Sequence, residues 1–142
     1  MSTINREFVG QMLGAFMDKD IETVLGFFTD DAVVVDQHYP VREMKGKAAL
    51  RQGFDWAFKT LKKPGFTIRH LWIEDDTVAV EIDTHHVLNH GPDLNFPQVF
   101  VFETCNNLIS RMQCYAPYGP PGIGGLLTKL TRLIWRIQGK AK

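Results

Sequence analysis

The chain is short of the features that commit a protein to a specialised class. It has only two cysteines in 142 residues, Cys105 and Cys114, with neither the tight spacing nor the nearby histidines of a zinc site or redox pair. A reducing compartment, and hence a cytoplasmic protein, is the expectation. No apolar run reaches the roughly 20 residues of a membrane span, and Met1 to Glu7 has no long apolar stretch behind a basic one. Lysine plus arginine balances aspartate plus glutamate at 16 each, so no electrostatic excess points to nucleic acid. The glycines from Gly119 to Gly125 lack the lysine and helix start of a phosphate loop, so no cofactor is implied. The five histidines show no His-x-His spacing, and the one His-x-x-x-His spacing, His86 and His90, has no matching carboxylate, so no metal is expected.

What is present is enough apolar residue, 44%, for one well-filled core. Ile4, Phe8, Met12 and Phe16 recur at fourfold spacing with Val9 beside them, which predicts a first helix over 3–17. Asp20 is placed to cap a short second helix through Val24, Leu25, Phe27 and Phe28, broken by Asp30-Asp31. The β-branched run Ala32 to Asp36 predicts a strand ending in a loop with His38, Tyr39 and Pro40. Gly46 precedes a third helix with Leu50, Phe54, Ala57, Phe58 and Leu61 on one face, ended by Pro64-Gly65. Strands are predicted over 66–73, 77–88, 96–104 and 108–115, separated by turn-forming residues. The order of elements gives an α+β domain, an antiparallel meander with helices on one face.

The charge balance hides an asymmetry. All sixteen acids precede residue 120, while Lys129, Arg132, Arg136, Lys140 and Lys142 follow it; the remaining eleven basic residues leave the body at −5 and the tail at +5. After the connector Tyr118 to Gly125, the residues Leu126, Leu127, Leu130, Leu133, Ile134 and Ile137 define a helical stripe, with the tail's first three cations on another side and Trp135 pointing away. Two expectations follow. The first is a helix docking its stripe on the sheet, the pocket mouth or a second subunit. The second is a basic helix lying on an anionic membrane surface.

The stretch from Asp20 to Asp36, the Lys45-Gly46-Lys47-Ala48-Ala49 segment and the strand from Ile109 to Tyr115 resemble the nuclear transport factor two-like superfamily, particularly its ketosteroid isomerase and SnoaL-like (polyketide cyclase) branches. The resemblance covers roughly residues 4 to 118. It implies a cone-shaped fold, a curved antiparallel sheet wrapped around helices with a central pocket for an apolar small molecule. Residues 1–118 would form this domain, and 119–142 the connector and basic helix. It also implies a homodimer through the outer sheet face. Such folds host isomerases, dehydratases, cyclases, hydrolases and non-catalytic proteins, so both a cofactor-independent acid/base enzyme and an apolar-ligand-binding or dimerising module are implied.

The resemblance places Asp36 where ketosteroid isomerases carry their general base. A carboxylate facing an apolar cavity is made more basic by desolvation; the alternative is an aspartate that accepts backbone N–H bonds in the turn after the strand. Met12 and Gln98 stand where those enzymes place a tyrosine and a protonated aspartate, and methionine cannot donate a hydrogen bond. Over 78–86, alternation groups Val78, Val80 and Ile82 against Glu81, Asp83 and His85, and burial logic alone turns the valines inward. The family register turns the other face inward, making Asp83 and His85 catalytic partners of Asp36. The alternative for His85 and His86 is a surface or interface pair. A limonene epoxide hydrolase triad is not reproduced: Asp83 matches its first aspartate, but Glu81 and Cys114 replace its arginine and second aspartate. Met12, Phe16, His38, Tyr39, Phe54, Phe58, Gln98 and Phe100 are the expected substrate contacts.

Overall fold

The computed structural model describes residues 4–117 and 122–140. Helix α1 (Arg6–Met17) starts at Asn5, whose side-chain oxygen accepts the Phe8 N–H at 2.9 Å, and turns Val9, Met12, Leu13 and Phe16 into the core. Helix α2 (Ile21–Gly26) is capped by Asp20, as its sequence position suggests; the carboxylate accepts both the N–H and the hydroxyl of Thr23.

Strand β1 (Phe28–Val35) begins well before the β-branched run and contains Asp30-Asp31, the expected helix breaker. Both acids are tolerated because the pairing of β1 with β7 shifts register between Phe28 and Val33, leaving them exposed while Phe28, Ala32 and Val34 are buried. Two short strands, β2 (Glu43–Lys45) and β3 (Leu61–Lys63), flank helix α3 (Lys47–Thr60), which follows Gly46 at φ +82. The meander is β4 (Phe66–Glu74), β5 (Thr77–Leu88), β6 (Leu94–Cys105) and β7 (Leu108–Tyr115). Asn106 and Asn107, at φ 50 and 64, make the two-residue turn between β6 and β7, a left-handed geometry that asparagine accepts more readily than most residues.

The sheet order is β2-β1-β7-β6-β5-β3, with β4 also on β5. It is antiparallel except at one seam, where β1 runs parallel to β7. The seam corrects the purely antiparallel expectation: β1 reaches β7 through the intervening helix and strands, not through a hairpin. Curvature leaves the sheet unclosed, with the helical layer filling its concave side. Phe16 is a hub there, its ring centroid 4.8 Å from that of Phe58, 5.6 Å from Phe66 and 5.9 Å from Phe54. Such aromatic pairs add about 0.5–1.5 kcal/mol each beyond area burial.

Helix α4 (Gly122–Ile137) takes up the second half of the expected connector; residues 118–121 lie outside the described residues. Docking of its stripe on the sheet or pocket mouth is not observed. It buries no residue, and its apolar side chains are all exposed. Among the described residues, no helix is long and apolar enough to cross a membrane.

Candidate functional site

The concave side of the sheet encloses a cavity of about 190 Å³. Its wall is largely apolar, with Met12 and Phe16 from α1, Phe54 and Ala57 from α3, and Phe66, Phe100 and Met112 from the sheet. Asp36, His38, Tyr39, His86 and Gln98 supply the polar groups at this wall, with Thr60.

Asp36 directly follows β1 and is buried. Its Oδ1 accepts the His38 backbone N–H at 2.9 Å and lies 2.6 Å from His38 Nδ1. The turn-forming role and the cavity-facing role weighed for this aspartate therefore coincide: the bond to the N–H two residues on fixes the loop, and the loop holds the imidazole beside the carboxylate. Tyr39 follows in the same loop, its ring centroid 6.2 Å from that of Phe54. Burial, and then the nearby Asp36 carboxylate, hold its phenol well above its usual pKa of 10, so it is a neutral donor at physiological pH. Gly53 of α3 gives this loop room; a methyl group there would lie 3.3 Å from the Tyr39 ring and collide with the Met44 sulfur.

A buried polar chain crosses the adjoining strands. The Cys114 thiol donates to Gln98 Oε1 at 2.9 Å, and Gln98 Nε2 donates to Thr84 Oγ1 at 2.6 Å. Burial and the neighbouring Asp36 charge push the Cys114 thiol far up, so it acts as a donor and not as a nucleophile. Asp36, His38 and Cys114 each offer a ligand atom, all within 4.8 Å of one another, and are the residues here that could approach a metal ion. The protonated thiol and the direct Asp36–His38 contact describe a hydrogen-bonded cluster.

Strand β5 corrects the family-derived register. Val78, Val80, Ile82, Thr84 and His86 are buried on the inner face. Asp83 and His85 lie on the outer face and do not line the cavity: Asp83 pairs with Arg69 at 3.4 Å, both about half exposed, and His85 Nε2 bonds Thr67 Oγ1 at 3.0 Å. Glu81, also outward, meets His70 at 2.8 Å. The physical reason is the period of two, since burying the branched aliphatics fixes every other residue of the strand.

His86 is the inward histidine. Its Nδ1 accepts the Gly65 N–H at 3.0 Å, which leaves the ring proton on Nε2, and its ring centroid stands 4.9 Å from that of Phe66. Burial, aided by the positive charge of His38 and His85 when protonated, lowers its pKa to about 4. Gly65 sits so close to β5 that a methyl group there would come within 2.5 Å of the His85 carbonyl oxygen. The alternation with Val78, Val80 and Ile82 was the signal that could have found His86.

Of the expected contacts, Met12, Phe16, His38, Tyr39, Phe54, Gln98 and Phe100 line the cavity, whereas Phe58 packs behind them on Phe16.

A cone-shaped α+β domain with a mixed, unclosed sheet around an apolar cavity is the class this architecture defines. Residues 9–112 match the family model described as a SnoaL-like domain, and the chain belongs to that family. A Catenulispora acidiphila protein with a ketosteroid isomerase-like fold, solved with trimethylamine, is similar at 18% identity and TM-score 0.71, over 79% of this chain and 86% of that one. A Mycobacterium tuberculosis protein in complex with estradiol-17β-hemisuccinate gives 20% identity and TM-score 0.67, over 77% and 90%. An epoxide hydrolase of the limonene epoxide hydrolase-like kind, also from Mycobacterium tuberculosis, gives 16% identity and TM-score 0.67, over 94% of each chain. At these identities the likeness establishes the fold. The comparison with curated proteins found no match.

Proposed function

We propose that the protein is a cofactor-independent enzyme performing acid/base chemistry on a small apolar molecule that carries a carbonyl or hydroxyl group, with Asp36 as general base. The observation that carries this reading is the buried Asp36 carboxylate at the wall of an apolar cavity, held at 2.6 Å by His38. Both His38 bonds fall on Oδ1, so Oδ2 is the oxygen assigned to proton abstraction. In the simplest step Oδ2 takes a proton from a carbon beside a carbonyl, the C–H electron pair moves into the new C=C bond, and negative charge develops on the carbonyl oxygen. The proton returns at the same carbon or, in an isomerisation, at a conjugated one. Tyr39 and His86 are the assigned donors to the developing charge, and Gln98 orients the substrate. Asp36 electrostatically influences both assigned donors.

Cavity size narrows the substrate. At about 190 Å³ it only moderately exceeds the roughly 150 Å³ engineered cavity that holds benzene, which favours a one- or two-ring molecule over a four-ring steroid. Outward Trp72, Ala79, Val99, Val101 and Tyr115 lie on neighbouring strands of the convex face, and this face is proposed as the homodimer contact.

A second reading, a non-catalytic binding module, is favoured by Met12 at the wall and by the Gln98 amide already engaged with Thr84 and Cys114. Deuterium incorporation from heavy water into a panel of one- and two-ring ketones, followed by NMR, separates the two. The wild type should exchange the α-protons, and Asp36→Asn should slow exchange at least about 100-fold while its circular dichroism and melting remain intact. Equal exchange by a folded Asp36→Asn protein would reject the assigned base. Saturable binding without exchange in the wild type would support the binding module.

A further inference from the structure

We propose that α4 is a membrane-surface anchor, seating the protein on an anionic lipid bilayer. With 3.6 residues per turn, Ile123, Leu126, Leu127, Leu130, Leu133, Ile134 and Ile137 fall within one arc of about 120° that no polar residue interrupts. All seven are exposed, from 46% at Leu130 to 78% at Ile123 and Ile137. The same spacing places Lys129, Arg132 and Arg136 in an adjoining arc that begins about 40° from Leu133. Trp135 alone among the large apolar side chains lies outside the apolar arc.

A patch this apolar needs a cover, and the charge identifies it. No acid follows Glu103 in the chain, whereas the body before the tail is net negative. Apolar and cationic arcs that meet along one edge can touch a flat surface together if that surface has a hydrocarbon interior and an anionic skin. The helix lies along such a surface and does not cross it. Its 16 residues span about 24 Å at 1.5 Å per residue, short of the roughly 30 Å hydrocarbon core, and three cations lie within it. Each basic residue at an anionic surface contributes about fivefold to partitioning, and screening removes much of this in high salt.

Flotation of the full chain with vesicles tests this, using phosphatidylcholine containing about one third phosphatidylserine against phosphatidylcholine alone. The wild type should float with the anionic vesicles at least about tenfold better than with neutral ones, and lose most of that preference in half-molar salt. Leu130→Ser with Leu133→Ser should abolish flotation, and Arg132→Glu with Arg136→Glu should abolish the anionic preference. Both variants should keep the wild-type melting temperature, because α4 buries nothing. Absent flotation of the wild type, or undiminished flotation of the serine variant, overturns the anchor. A fall in molar mass of the serine variant by light scattering would likewise overturn it, assigning the stripe to a second copy.

Discussion

His86 makes the inner-face assignment of β5 measurable through pH. Folding moves its imidazole from water into the cavity wall, lowering its pKa from an ordinary value near 6.5 to about 4. The unfolded chain therefore binds a proton that the folded chain refuses between those values. Its contribution favours folding fully above pH 6.5, is lost progressively as pH falls towards 4, and levels off below. At 1.36 kcal/mol per pH unit the full loss is about 3 kcal/mol, and about 2 kcal/mol of it falls between pH 7.5 and 5. Urea unfolding at those two pH values, in the wild type and in His86→Asn, isolates it. The asparagine oxygen can still accept the Gly65 N–H but cannot ionise, so packing lost against Phe66 shifts both of its stabilities while the other histidines cancel in the difference. The wild type should lose about 2 kcal/mol more than the variant on acidification. Equal losses would mean that His86 is hydrated or outward in the folded state, and the register of β5 would have to be redrawn. Imidazole NMR signals from His86 should accordingly stay in their neutral positions down to about pH 5.

Two other expectations follow from the same sheet. Asp83→Asn with His85→Gln should leave turnover within about twofold and stability within about 1 kcal/mol, because their partners lie on the solvent side; a tenfold fall in turnover, measured beside Asp36→Asn, would return them to the site. Val101→Glu on the convex face should convert a dimer to a monomer in light scattering with little change in the circular dichroism, and an unchanged mass would move the dimer contact elsewhere.

The helices, the cap at Asp20 and the four long strands were legible because local periodicity and capping chemistry act over a few residues, but α3 ends at Thr60, and Leu61, expected on its apolar face, starts β3 instead. Asp36 was singled out by the resemblance to ketosteroid isomerases, not by a local pattern, and the carboxylate does reach the cavity wall. The role of Asp30-Asp31 was misread because a register shift against β7 involves residues some eighty positions away. For β5, burial alternation gave the correct face, whereas the resemblance pointed to the other; packing of Val78, Val80 and Ile82 outweighed the analogy.

By itself the chain's sequence determined the α+β class, the family-bearing segment from Asp20 to Asp36, and the amphipathic cationic tail, all consequences of short-range pattern. Tertiary structure decided what no local pattern carries: that Asp36 pairs with His38, that His86 and not His85 faces the cavity, that Cys114 and Gln98 bond each other across two strands, and that the stripe of α4 is left uncovered. Contacts between distant segments have no local signature. They are settled only when the curved sheet closes over its helices and each buried polar group must find a partner.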